Sequence, residues 1–160
     1  MAIINGYSNY TQAGVQNYAM AVDDAGAYNP PVANDVCVGL CLQTNPFQTN
    51  YQPGTVTSEP VGVGNYSRAS APSGDPVGGS GIWTISAETD ITEIENNTAI
   101  TFNVSTAAWG QVYYFGVFDN SDPNVGHLIW GAAVATPKEI ETETVVVFTP
   151  QALKIKARNT

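Results

Sequence analysis

Short apolar segments alternate with polar segments along most of this chain, and residues 99–155 show the pattern most clearly. This stretch contains four apolar runs of strand length that are rich in β-branched and aromatic residues, and Gly, Pro, Asn and Asp separate the runs. Such an alternation is typical of β-strands joined by turns. The stretch therefore predicts an all-β fold for this part of the chain.

The same pattern begins at residue 36 and predicts eight or nine strands. The first of them, 36–43, is apolar on both faces apart from Gly39, which favours a central position in a sheet. The run 111–118 is the most aromatic one, and we expect it to lie centrally as well. The other predicted strands are 63–70, 82–86, 89–95, 99–104, 127–135, 144–149 and 152–156.

These strands predict an antiparallel sandwich of two sheets, and their number and the long loops favour a jelly roll of about eight strands. The dipeptide Asn96-Asn97 is expected to form a turn between two strands. Arg68, within a predicted strand, is expected to be exposed or paired. Residues 36–160 are therefore interpreted as one β-sandwich domain.

The first 35 residues follow another pattern and predict an extended N-terminal arm. Val15, Ala19 and Val22 have the spacing of a short helix, and the Pro-Pro pair at 30–31 belongs to a connector that runs from residue 24 to 34. We expect such an arm to bury little surface without a partner. The chain is thus divided into an arm, 1–35, and the sandwich domain, 36–160.

The charge of the chain narrows the choice of partners. Hydrophobic residues make up 43% of the sequence, charged residues only 12%, and the formal net charge is -9. A protein this acidic lacks the basic surface that nucleic-acid binding or docking to an anionic membrane requires. No signal peptide and no apolar run of membrane-spanning length is present, so we expect synthesis in a cytoplasm.

The basic residues are concentrated near the end of the chain. Lys154, Lys156 and Arg158 alternate with apolar residues over the last predicted strand, which places the cations on one face of it. This pattern allows two interpretations. The cations form a solvated face, or they meet an acidic patch on a partner or a neighbouring subunit.

The sequence contains no recognisable catalytic site. His127 is the single histidine, and neither a serine nucleophile elbow nor a cysteine–histidine motif is present. The acidic residues between Glu88 and Glu95 are interpreted as a solvated face of a half-exposed strand. We therefore expect neither an enzyme nor a cofactor.

No metal site or disulfide is expected either. Cys37 and Cys41 are four residues apart, roughly 13 Å along a strand, which is too far for a disulfide, and we interpret both as small core residues. The loop 119–124 is rich in Asp and Asn but lacks the glutamate that closes a calcium-binding EF-hand loop. The three tryptophans could line a sugar groove, but we interpret them as core or interface anchors.

The order of several short motifs resembles a family of small bacteriophage virion proteins. After the strand VCVGLCLQT come Gly-x-Tyr-x-Arg (64–68), Ile-x-Phe (100–102), Thr-Ala-x-Trp-Gly (106–110), Phe118-Asp119, Leu-x-Trp-Gly (128–131) and Pro137. Members of this family are often labelled tail-fibre-like, and related β-sandwich proteins decorate phage heads. The resemblance spans roughly residues 36–156 and implies a structural protein of the virion.

Two departures from the family pattern favour head decoration over a fibre. Family members commonly begin with a compact apolar helix, whereas this chain begins with a Tyr- and Asn-rich arm. A fibre protein would normally continue into a shaft or a receptor-binding tip, and this sequence ends at Thr160. The resemblance thus implies a cement protein on the capsid exterior that binds the major capsid protein, as a homo-oligomer and specifically a trimer. A tail or tail-fibre component is the alternative, and a carbohydrate-binding module is a third.

The candidate partner-binding residues follow from this hypothesis. Tyrosine provides a large contact area with a polar group at its end, and the arm would order when it docks. The candidates in the arm are Tyr7, Tyr10, Tyr18 and Tyr28. Those in the last strand are Lys154, Lys156 and Arg158.

Overall fold

Every regular element that the computed structural model describes is a β-strand, in agreement with the prediction of an all-β fold. The described residues are 6–7, 36–42, 59–72, 82–87, 91–124 and 128–158. The strands are β1 (Gly6–Tyr7), β2 (Cys37–Cys41), β3 (Ala69–Ser70), β4 (Trp83–Ala87), β5 (Ile91–Asn96), β6 (Ile100–Thr101), β7 (Gly110–Phe118), β8 (Leu128–Ile140), β9 (Val147–Phe148) and β10 (Lys154–Arg158). The helix predicted in the arm lies outside these residues.

The strands form three antiparallel sheets. The largest has five strands in the order β1-β8-β7-β2-β3, a second has the order β10-β5-β4, and a third pairs β6 with β9. The central positions predicted for β2 and β7 are confirmed, because each lies between two other strands. This arrangement is consistent with a β-sandwich, whereas the jelly-roll connectivity stays a prediction.

Several predicted strands are shorter in the structure, so that the expected number of about eight strands is not confirmed. Four of the strands described above contain only two residues, and β3 replaces a predicted strand over 63–70. The backbone explains this difference: Gly62, Gly64 and Asn65 all have positive φ angles, which interrupt an extended strand. The segment before β3 therefore forms turns.

The main hydrophobic core lies on one face of the five-stranded sheet. Val38 and Leu40 of β2 and Phe115 and Val117 of β7 belong to it, and Trp130 of β8 lies 5.6 Å from Phe115 between ring centroids. Residues in or next to the strands of the smaller sheets cover this face. They are Ile94, Ile100, Phe102, Phe148 and Leu153.

The opposite face of the same sheet is also buried. Cys37 and Cys41 alternate with the core residues of β2, and they cluster with Tyr114, Phe118 and Leu128. Both cysteines are free and buried, which confirms their interpretation as core residues. Because β2 is covered on both faces, its sequence is apolar at almost every position.

Asn96 is a buried structural residue, so the expected turn at Asn96-Asn97 has to be corrected. Asn96 is the last residue of β5, and its side chain is fully buried. The side-chain amide nitrogen donates to the carbonyls of Thr98 and Thr149 at 2.8 Å each, and the side-chain oxygen accepts from the backbone N–H of Leu153 at 2.9 Å. Asn96 thus fastens the approach to β10 to the end of β5, and the bend follows at residues 97–98.

Two glycines on neighbouring strands make room for one aromatic ring. Gly39 of β2 pairs with Gly116 of β7. A methyl group added at Gly116 would lie 2.6 Å from Leu128 Cδ1 and 2.7 Å from Phe118 Cε2, and one at Gly39 would meet Glu59 Oε1 and, at 2.8 Å, the Phe118 ring. The Phe118 ring therefore lies in a space that only glycine leaves open at these positions.

Substitution of Gly116 by alanine is expected to lower the free energy of unfolding by about 1–3 kcal/mol, because the added methyl overpacks this space. Urea denaturation followed by tryptophan fluorescence measures the change. Ser121→Ala, at an exposed loop position, is the control and should change the free energy by less than about 0.5 kcal/mol. A Gly116→Ala protein as stable as the control would contradict the role given to this glycine.

Candidate functional site

A buried ion pair between Glu59 and Arg68 covers the second face of the five-stranded sheet. Both side chains have zero exposed surface, and Arg68 Nη2 lies 2.6 Å from Glu59 Oε2. Arg68 Nε donates to both carboxylate oxygens of Glu59 at 3.1 Å. A two-pronged pair of this kind matches the geometry of the guanidinium to that of the carboxylate. It offsets much of the cost of removing two charges from water.

Tyr66 connects this ion pair to the sheet. Its hydroxyl donates to Glu59 Oε1 at 2.6 Å and accepts from the backbone N–H of Leu40 at 2.9 Å. The bond to Leu40 satisfies a backbone N–H of β2 beyond Cys37 and Val38, the two residues that pair with β3. Burial, and then the charge of Glu59, raise the pKa of Tyr66 well above its usual value, so that the hydroxyl keeps its proton.

Arg68 also fixes the loop that follows β7. Its Nη1 donates to the carbonyl of Asn120 at 2.8 Å and to that of Asp122 at 3.4 Å. Its guanidinium carbon lies 3.5 Å from the centroid of the Phe118 ring, a cation–π contact. Burial alone would lower the pKa of Arg68, but the hydrogen bonds and the charge of Glu59 outweigh burial and raise it. The guanidinium therefore stays charged.

Cys37 completes the arrangement, which we call the Arg68 cluster: Glu59, Tyr66, Arg68, Phe118 and Cys37. The thiol of Cys37 lies 2.8 Å from the carbonyl of Asn120, the same carbonyl that Arg68 contacts. Burial raises the pKa of Cys37 to about 12, although Arg68 acts in the opposite direction. A thiol with this pKa is a poor nucleophile at neutral pH.

The chemistry of the Arg68 cluster is structural. Its ionised groups neutralise each other, its tyrosine and cysteine are held protonated, and its members are buried apart from the partly buried Tyr66. It joins three parts of the chain that are distant in sequence, namely the turn segment 59–68, strand β2 and the loop 119–122. What it supplies is a fixed relative position of these three parts.

Sequence reasoning found only one half of the ion pair. Arg68 was expected to be exposed or paired, and the structure shows it paired and buried. Glu59 was missed, because it stands in a proline-rich loop without periodicity. The available signal was indirect: Gly39, in the middle of an apolar strand, indicates the close approach of another group.

The predicted partner-binding residues that fall within the described ranges belong to two different sheets. Tyr7 belongs to β1, at an edge of the five-stranded sheet, where it pairs with Trp130. Lys154 belongs to β10 in the three-stranded sheet and forms an exposed ion pair of 2.7 Å with Glu95. In the same register Lys156 pairs with Glu93 and Arg158 with Ile91. Tyr10, Tyr18 and Tyr28 lie outside the described residues, as does His127.

The tryptophans are parts of the scaffold rather than of an open groove. Trp109 and Trp130 are buried, and the indole nitrogen of Trp109 donates to the carbonyl of Gly64 at 2.9 Å. Trp83 is partly buried against the core, and its indole nitrogen donates to the carbonyl of Ala71. These positions agree with the interpretation of the tryptophans as anchors.

The Asp- and Asn-rich loop 119–124 forms ordinary turns. The backbone N–H of Asp122 donates to Asn120 Oδ1, and that of Asn124 to Asp122 Oδ1. Two carbonyls of the loop already accept from Arg68, a cation of the chain itself. Within the ranges given above, no three His, Cys, Asp or Glu residues converge on a point where a metal ion could bind. Nor does any helix there have the length and hydropathy to cross a membrane.

Substitution Glu59→Gln is expected to lower the free energy of unfolding by about 3–5 kcal/mol, because it leaves the buried Arg68 charge without its counter-ion. Glu95→Gln breaks the exposed pair with Lys154 and serves as the matched control, with an expected loss of at most about 1 kcal/mol. Urea denaturation measures both. Similar losses in the two variants would show that the buried Arg68–Glu59 pair contributes no more to stability than the exposed Lys154–Glu95 pair.

A double substitution separates the ion pair from simple packing. Glu59→Leu combined with Arg68→Met removes both charges, and the double variant is expected to be more stable than Glu59→Gln alone, since no uncompensated charge stays buried. If the double variant were the least stable of all, the hydrogen bonds of Arg68 to the loop 119–122 would outweigh the charge balance.

The thiol of Cys37 is expected to resist alkylation at pH 8 in the native protein and to react after denaturation. Its pKa rises from 9.0 to about 12 on folding, so the unfolded state ionises first as the pH increases. The contribution of the protonated Cys37 thiol to the free energy of unfolding is complete below pH 9 and is lost as the pH rises toward 12. Urea denaturation between pH 8 and 11 should show this loss, and Cys37→Ser should make it shallower. An equally steep loss in Cys37→Ser would assign it to other groups.

Comparison with known protein families gives a match over most of the chain. The model of the family described as "Gp80: Podophage GP4 fiber I protein gp80" matches residues 6–156. The match begins at β1, ends within β10 and contains the whole Arg68 cluster. It confirms the resemblance to small phage virion proteins that the ordered motifs indicated. No curated protein matches the chain.

Proposed function

The chain belongs to the family of podophage GP4 fiber I protein gp80, and we propose that it is a structural subunit of a phage fibre. The subunit acts by binding other proteins of the virion. We assign it no catalytic step and no cofactor.

The observation that carries this proposal is the extent of the family match. It spans residues 6–156 and therefore includes all three sheets rather than one short motif. The description of the family names a fibre protein. It supports the tail-fibre alternative better than the capsid-decoration hypothesis, although both are structural roles in a virion.

The architecture suits a subunit that must keep its shape in an assembly. The largest sheet is covered on both faces, by the main core on one face and by the buried Glu59–Arg68 ion pair, which lies over the Phe118 ring, on the other. The Arg68 cluster then holds the loop after β7 by two backbone carbonyls. Loops fixed in this way present a constant surface to a partner, which lowers the conformational entropy lost on binding.

The capsid-decoration hypothesis makes different demands on the same chain. It requires binding to the major capsid protein on the outside of the head, through the arm tyrosines and the basic last strand. Lys154 already has Glu95 as a partner within the chain, which favours the interpretation of that strand as a solvated face. The decoration role and the expected trimer stay predictions, and the location of the protein in the virion decides between decoration and the fibre.

Purified virions separated into heads and tails decide the location. We expect mass spectrometry to find this protein with the tail and fibre fraction, at a copy number close to that of the fibres. Antibody labelling of intact virions in the electron microscope should mark the fibres. The major capsid protein in the same fractions controls for cross-contamination.

Recovery of the protein with the heads at hundreds of copies per virion would overturn the fibre proposal. That result would support capsid decoration instead. Absence of the protein from purified virions would overturn both structural roles.

A further inference from the structure

The exposed large hydrophobic residues of the described part of the chain are all valines. Each has between 40% and 49% of its surface exposed, and such residues indicate a binding surface only where they lie together. We call them the valine surface: Val61, Val63, Val104, Val145 and Val147.

Three of these valines share the outer side of one β-ribbon. The backbone N–H of Phe102 donates to the carbonyl of Val146, and that of Ser105 to the carbonyl of Thr144, each at 3.0 Å. This ladder extends the pairing of β6 with β9. Phe102 and Val146 pack against the core, so the residues that alternate with Val146 in the strand, Val145 and Val147, point away from it.

The other two valines lie on a turn that is fastened to the same ribbon. Asn65 Nδ2 donates to the carbonyl of Val104 at 3.4 Å, and the backbone N–H of Thr106 donates to the carbonyl of Gly64 at 2.9 Å. Val61 and Val63 belong to this turn. The valine surface is therefore one region of the domain rather than five scattered positions.

Within the described ranges, the backbone at this region also has a side that pairs with no other strand. Among the strands of the described ranges, β9 pairs only with β6, so it is an edge strand. An edge strand with exposed apolar side chains and no charged residue of its own is a ready template for pairing with another strand. The segment 144–149 (Thr-Val-Val-Val-Phe-Thr) has this composition.

Charge indicates which partner fits. The chain carries a net charge of -9, so two copies repel each other unless they meet at a neutral region. The exposed neighbours of the valines on the ribbon are uncharged, namely Thr101 and Asn103, while Glu141 and Glu143 lie at one end. A basic partner would find few acidic groups within this region, whereas a second acidic copy finds an apolar centre with its charges at the rim.

We propose that the valine surface is the site at which two copies of this chain associate, with the free edge of β9 at its centre. The inference names the self-association surface of the proposed fibre subunit and rests on that proposed function for its biological role. The association itself is a property of the purified protein. It is therefore tested independently of where the protein lies in the virion.

Analytical ultracentrifugation of the purified full-length chain over a range of concentrations tests the proposal. We expect the average mass to rise above that of a monomer. Val145→Asp with Val147→Asp should weaken the association roughly tenfold or more, because apolar burial is lost and like charges are added. Val145→Thr with Val147→Thr keeps the β-branched shape of both residues and adds no charge, so it should weaken the association less. This variant tests the proposal where the aspartate variant folds poorly.

Ser121→Asp is the control for added charge, since it places one of the two added negative charges at an exposed position in the loop that follows β7. That loop lies against Arg68 on the second face of the five-stranded sheet, whereas β6 and β9 pack on the face that carries the main core. The control should associate like the unmodified chain. Air oxidation of Val147→Cys should join two copies by a disulfide, whereas Ser121→Cys should not, and the two native cysteines are buried.

A chain that stays monomeric at all concentrations would overturn this inference. So would a control that dissociates as readily as the aspartate variant. Neither result bears on the fibre proposal, which depends on the virion fractions. Conversely, a protein that associates through the valines but is found with the heads would overturn the fibre proposal alone.

Discussion

The structure depends on the burial of one guanidinium group. Arg68 has no exposed side-chain surface, and a charge in that position is tolerable only if a counter-ion and several acceptors surround it. Glu59 provides the counter-charge, Phe118 provides the face of its ring, and the carbonyls of Asn120 and Asp122 accept the remaining N–H groups. Each requirement of the guanidinium therefore determines the position of a different segment, and segments with no regular structure become as well placed as the strands.

The sheet itself is shaped by the same requirement. Room for Glu59 and for the Phe118 ring exists because Gly39 and Gly116 have no side chains where the two central strands meet. Glycine usually weakens a strand, so its presence at both positions reflects the space needed by the cluster. On the other face of the sheet the strands carry ordinary large apolar residues, and the main core forms there. A single sheet thus combines a hydrophobic interior with a polar one.

This division has a consequence for assembly. The central sheet is covered on both faces, and within the described ranges the large apolar side chains that stay exposed lie at the small β6–β9 ribbon and on the turn beside it. The ribbon is fastened to the domain by main-chain hydrogen bonds and by Ser105, whose hydroxyl contacts the carbonyls of Glu141 and Thr144. A fibre subunit that associates there would bury a surface held in place before binding, which reduces the entropic cost of association. The interior and the proposed interface are then separate parts of one domain.

The sequence by itself determined the fold class and the positions of most strands, because alternation of apolar and polar residues and turn-forming residues act locally. It also identified the family, because the order of the short motifs can be compared without knowing which residues they contact. Only the tertiary structure decided which polar residues are buried. Glu59 and Arg68 are nine positions apart in irregular sequence. Asn96 is of a residue type common in turns, but it lies in the environment of a core residue. It likewise decided that the exposed valines lie together, since they come from three separate segments. Such pairings depend on contacts between distant parts of the chain, which the local periodicity of the sequence does not predict.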